Sequence, residues 1–150
     1  VINLHFKEDF VLWRKRESGG GLIGTYGSQS AALDHLAKEG LKAEDHEIIQ
    51  TQSHLLLRKD PETGELLKTP FLMDFASSKL RVSREWNTQI GQLGGDRFSA
   101  LWKLSSLQTQ NRAAQKFYNL NAENQGWVTE EDYEYAKEVY TKLNLGPTDS

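Results

Sequence analysis

The chain has 150 residues, 37% of them hydrophobic and 26% charged, with a formal net charge of -3, which suits one folded core and excludes global disorder. It holds no cysteine, so disulfides, thiolate metal sites and thiol nucleophiles are excluded. No apolar run approaches the roughly 20 residues of a membrane span and no charged n-region precedes an apolar h-region at the start, so no membrane association is expected, and the absence of cysteine fits a reducing cytoplasm as the expected compartment.

Residues 2–16 read as a strand with Leu4, Phe6, Phe10, Leu12 and Trp13 as its apolar positions, ending in Arg14, Lys15 and Arg16. Gly19, Gly20 and Gly21 then lead into Leu22, Ile23, Gly24, Thr25 and Tyr26, so a hairpin is predicted. Ser28 or Ser30 is placed to cap a short helix carrying Ala32, Leu33, Leu36 and Ala37, and Gly40 suits its left-handed end. Residues 47–58 form the next predicted strand, residues 60–64 its turn, and residues 66–75 the returning arm. Pro70 within that arm has no N–H for a ladder, which predicts an edge, a bulge or an outward-facing position.

Ser77 or Ser78 begins a second predicted helix whose apolar side collects Leu80, Val82, Trp86, Ile90 and Leu93, with Arg81 and Arg84 on the opposite side and Gly94-Gly95 as its stop. Residues 98–107 and 115–124 form a third hairpin, in which Ala100, Trp102 and Leu104 share one strand face. Thr129 and Asp132 have the spacing of a capping box for a last helix lined by Tyr133, Ala136, Tyr140 and Leu143. The order hairpin, helix, hairpin, helix, hairpin, helix predicts one α+β domain spanning 1–150, with an antiparallel sheet of about six strands and three short helices. A small OB-type barrel is the expected closure, although periodicity alone does not choose it over an open sheet.

Catalytic signatures are weak. His5, His35, His46 and His54 show no ligand spacing, and are read as surface or partly buried side chains with no metal or cofactor. The run from Gly19 to Gly24 lacks the strand–glycine–helix order of a dinucleotide loop and the terminal Gly-Lys-Ser/Thr of a P-loop. No nucleophile elbow is present, and Glu130, Glu131 and Asp132 sit where a helix start wants negative charge. No enzymatic activity is expected.

The strongest signal is electrical. Residues 77–122 hold Trp86, Phe98, Trp102, Phe117 and Tyr118 among seven Lys and Arg and two acids, a formal charge of +5, whereas residues 123–150 carry a formal -5. Cations with flat aromatic faces suit a single-stranded nucleic acid, whose phosphates need neutralising and whose unpaired bases need platforms. Trp86 belongs to an apolar helix stripe and reads as core. In a strand, neighbours point to opposite faces, so one of Phe117 and Tyr118 must leave the core.

The strand Leu55-Leu56-Leu57-Arg58-Lys59-Asp60-Pro61, the return through Phe71 and Phe75, the helix from Lys79 to Ile90 and the hairpin from Phe98 to Asn121 occur in an order that resembles the OB-fold single-stranded DNA-binding proteins of tailed bacteriophages. The run from Ser78 to Asn87 also looks like one in phage proteins whose C-terminal half ends in a Gly-Trp-Val, here Gly126-Trp127-Val128, and an acidic helix. The resemblance covers roughly the C-terminal two thirds and implies single-stranded DNA binding in phage replication or recombination, in the host cytoplasm. It also implies an acidic C-terminal segment that competes with DNA or recruits replication or recombination proteins. Here that segment would be the helix bearing Glu130 to Glu138, in place of the family's loose tail.

On this reading Arg14, Lys79, Arg81, Arg84, Lys103, Arg112 and Lys116 meet phosphates, and Trp13, Trp102, Phe117 and Tyr118 stack bases. A homo-oligomer is compatible with it. The alternatives are a phage protein–protein interaction or virion-assembly module, since Trp, Tyr and Arg also dominate protein interfaces, and a nucleic-acid enzyme such as a nuclease.

Overall fold

A computed structural model describes residues 1–110 and 116–143. It is α+β: six antiparallel strands, β1 (Ile2–Arg14), β2 (Leu22–Tyr26), β3 (His46–Leu57), β4 (Phe71–Ala76), β5 (Ala100–Gln110) and β6 (Lys116–Trp127), with helices α1 (Gln29–Lys38), α2 (Leu80–Gln92) and α3 (Glu130–Lys142). The strand order is β4-β3-β1-β5-β6, with β2 also paired to β1.

All three predicted hairpins form. The first turns through Gly19, Gly20 and Gly21, whose φ values of 112°, 68° and 107° are open to glycine and strained for other residues. In the second, Lys59 bridges Leu66 and the ladder with β3 then begins at Phe71, so Pro70 stands just outside it, as its missing N–H requires. Ser28 caps α1 through Oγ, which accepts from the Ala31 N–H at 3.1 Å, and Thr129 caps α3 by accepting from the Asp132 N–H at 3.2 Å.

The expected barrel closure is corrected. β1 is the central strand, and β3 pairs along one whole edge of it, from Ile2↔Leu57 to Arg14↔His46. The other edge is divided between β2, which takes Phe10 to Trp13, and β5, which takes Ile2 opposite Leu101. Among the described residues β4 and β6 do not pair, so the sheet stays open with β4 at one end and the β5–β6 hairpin at the other.

A register shift between Asn3 and His5 decides what β1 offers to each face. Leu4 is the extra residue there, so Asn3 and Phe6 turn to one face and Ile2 and Leu4 to the other. On the first face Leu56, Phe75, Ala100 and Trp102 pack against Trp86 and Ile90 of α2. On the second, Ile2, Leu4, Leu57 and Phe98 pack against Ala136 of α3, joined by Tyr133 and Tyr140. α1 lies on the α2 side, where His35 meets the Tyr26 ring at 5.4 Å. The sheet therefore separates α2 from α3.

Candidate nucleic-acid interface

α2 follows a 3₁₀ turn over Ser77–Lys79 and stops before Gly94, whose φ is 73°. Its buried row is Ser83, Trp86, Asn87 and Ile90, a spacing of three, four and seven that lies along one side of a helix. Two members of that row are polar, and the predicted apolar side of Leu80, Val82 and Leu93 flanks it without being fully enclosed.

Arg81 and Arg84 are exposed on the outer side of α2, and exposed Lys79 ends the turn before it. Arg81 Nε lies 3.0 Å from Glu85 Oε1, with both side chains open to solvent, so the pair contributes little stability and is readily exchanged for a phosphate contact. Arg84 Nη2 donates to Gln50 Oε1 at 3.4 Å, Gln50 Nε2 donates to Glu8 Oε2 at 2.8 Å, and Gln52 Nε2 donates to the same oxygen at 2.7 Å. Glu8 is thus held on the sheet floor by two amides, one of them from the Gln50 that Arg84 reaches. Asn119 Nδ2 donates to the Ser78 carbonyl at 3.2 Å, which ties β6 to the base of the helix.

The remaining sequence-derived positions divide. Trp102 is 1% exposed, packed edge-on to Trp86 at 6.0 Å and 71°, so as folded it is core and offers no stacking face. Lys103 is exposed on the strand face opposite Trp102, cross-strand from Glu123, and so lies on the other side of the sheet from α2. Trp13, 37% exposed, pairs with Leu22 at the far end of β1, and exposed Arg14 follows it. Neither joins the α2 cluster. Lys116, Phe117 and Tyr118 take register positions opposite Gln110, Thr109 and Gln108. Their side chains, and Arg112 entirely, lie outside the described residues.

A second constellation joins residues that the sequence does not place together. Arg97 Nη1 donates to Asn3 Oδ1 at 3.2 Å, Asn3 Nδ2 is 2.8 Å from His54 Nδ1, and His54 Nε2 is 2.7 Å from Ser83 Oγ. Asn3, His54 and Ser83 are all 0% exposed, so His54 is buried more deeply than the surface or partly buried placement expected of the histidines. Its ring stacks on Trp86 at 4.8 Å and 18° and meets Phe75 edge-on at 5.0 Å. Burial, helped by the charge of Arg97, lowers its pKa to about 3. Burial likewise lowers Arg97 to about 10, which leaves the guanidinium charged at neutral pH, 5.7 Å above the Phe6 ring.

The order of donors fixes the chemistry. Arg97 only donates, so Asn3 must turn Oδ1 to it and present Nδ2 to the histidine. His54 Nδ1 therefore accepts and Nε2 carries the proton, donated to Ser83. A base that activates a serine needs its lone pair on that side and an opening for substrate. This Asn–His–Ser series has neither and serves to position α2 on the sheet.

The acidic helix α3 sits across the sheet, where Tyr133 OH donates to Asp96 Oδ2 at 2.5 Å and Lys59 Nζ meets Asp132 Oδ2 at 2.9 Å. That hydrogen bond, with lesser contributions from burial and nearby acids, raises the Tyr133 pKa. An open cleft of about 1180 Å³ lies between α3 and residues 64–68. In this arrangement α3 does not cover the cations of α2 in its own chain, contrary to the expected internal competition. Among the described residues no helix is long and apolar enough to cross a membrane.

No curated protein and no solved structure matches the chain. The family model of the Pam3 phage gp34-like protein matches residues 1–148, nearly its whole length. The chain therefore belongs to the Pam3 phage gp34-like family and is a phage protein.

Proposed function

We propose that this phage protein binds single-stranded DNA without catalysing a reaction, through the outer side of α2 and the adjoining β5–β6 hairpin. The observation that carries the reading is the pair Arg81 and Arg84, exposed on a helix whose inner side is anchored in the core, with exposed Lys79 in the turn that leads into it. Phosphates need fixed but solvent-accessible cations, and this helix presents them with one exposed acid, Glu85, among them. The burial of Trp102 shifts the weight of the reading from stacking to backbone neutralisation. Stacking would fall to one of the hairpin positions Phe117 and Tyr118, which as strand neighbours take opposite faces. A role in replication or recombination follows from what single-strand binding does for DNA intermediates.

Binding of a labelled poly-dT oligomer, followed by anisotropy at several salt concentrations, tests the reading. Binding at low salt that weakens steeply as salt rises is the expected result, and no binding at low salt ends it. The rival, an interaction or assembly module, is favoured by the exposed cross-strand pair of Trp13 and Leu22, 37% and 58% open, which lies apart from the cations. Its mark would be a partner protein that protects this pair in a chain with no DNA affinity.

A further inference from the structure

β4 ends the sheet, paired to β3 on one edge and, among the described residues, to no strand on the other. Its six pairs, from Thr51↔Ala76 to Leu56↔Phe71, run without a register shift. An edge of this kind turns alternate N–H and C=O groups outward, and proteins ordinarily blunt it with lysine, an internal proline or a bulge. Here Pro70 precedes the strand instead of interrupting it. The strand's single charge, Asp74, is directed to its own sheet, accepting from Ser53 Oγ at 2.6 Å. Of the eight exposed large hydrophobic residues among those described, three lie within six positions at this edge: Leu67, Phe71 and Leu72, at 44%, 39% and 67% exposure. Unpaired backbone beside exposed apolar side chains is where a further strand adds.

We propose that β4 pairs antiparallel with β4 of a second copy of this chain, about a two-fold axis normal to the sheet. The strand is complementary to itself. A pairing that keeps each face continuous and is centred on Leu72 sets Leu72 against Leu72 and Phe71 against Met73, and leaves Asp74 opposite uncharged Pro70. Both exposed side chains are then covered by apolar partners and no like charges meet. The neighbouring register, centred on Met73, would set Leu72 against Asp74. Because the two-fold axis preserves faces, the α2 helices of both copies lie on one side and their outer cations form one extended surface. That consequence rests on the DNA-binding reading; the dimer does not.

The test is sedimentation velocity of the full chain without DNA. In this register only Phe71, Leu72 and Met73 of each β4 face their counterparts, a small interface, so a weak monomer–dimer equilibrium with a Kd on the order of 100 μM is expected. Leu72→Lys should weaken it by about tenfold or more, whereas Leu33→Lys, at a site 50% exposed on α1, should leave it unchanged. Hydrogen exchange on the unaltered chain supplies a readout independent of any variant: β4 amides should gain protection as concentration rises. A monomer at every concentration, a dimer that Leu72→Lys leaves intact, or concentration-dependent protection confined to segments other than residues 68–76 would each overturn the proposal. Because no DNA is present, its failure leaves the reading of the cationic face standing.

Discussion

The two sides of α2 obey different rules. Inward, Ser83, Trp86, Asn87 and Ile90 are enclosed, and each polar atom there is held to a partner or left at a cost; Ser83 meets His54, which Asn3 and Arg97 orient in turn. Outward, among the described residues, Arg81 and Arg84 are constrained only by a solvent-exposed ion pair and one long contact to Gln50. Packing explains the inner residues without reference to any ligand. It explains none of the outer cations, and that difference makes the outer side the candidate interface.

The contrast can be broken from the inside first. Trp86→Ala removes the ring that stacks on His54 and abuts Phe75 and Trp102, and should cost about 3–5 kcal/mol in a urea unfolding experiment. The buried histidine gives a pH signature. Its folded pKa of about 3 lies below the usual 6.5, so the folded state resists protonation. The stability it contributes is complete above pH 6.5 and is lost progressively as pH falls toward 3, by about 2 kcal/mol at pH 5. A His54→Gln chain, compared at pH 7 and pH 5, should lack that component of the slope. Ser83→Ala leaves the His54 Nε2 proton without its acceptor and should cost about 1–2 kcal/mol. Outside, Arg81→Ala and Arg84→Ala should each change stability by less than about 0.5 kcal/mol while weakening DNA binding.

Local order was legible where one residue type serves one local purpose. Three consecutive glycines announced the first turn and Ser28 and Thr129 announced helix caps, whereas Pro70, expected inside the returning arm, stands before β4. The open sheet was not legible, because closure depends on which edges of β1 are shared, and alternation along a strand is the same in a barrel and in an open sheet. The bulge at Asn3 likewise redirects side chains without a local mark. Within the candidate site, the outer placement of Arg81 and Arg84 followed from helical spacing. Trp102 shares a strand face with Ala100 and Leu104, a pattern that already favoured core. The Arg97–Asn3–His54–Ser83 series joins residues from separate elements, and its only trace in the sequence was Ser83 and Asn87 beside Trp86 in an otherwise apolar row.

The most direct measurement is the salt dependence of poly-dT binding by the unaltered chain and by Lys79→Ala/Arg81→Ala/Arg84→Ala. Each lost phosphate contact on a single strand should lower the slope of log K against log salt by about 0.7, so the triple variant should lose about 2 units while keeping its unfolding midpoint. Equal slopes and affinities for the two chains would contradict the assignment of the outer side of α2 as the DNA-binding surface.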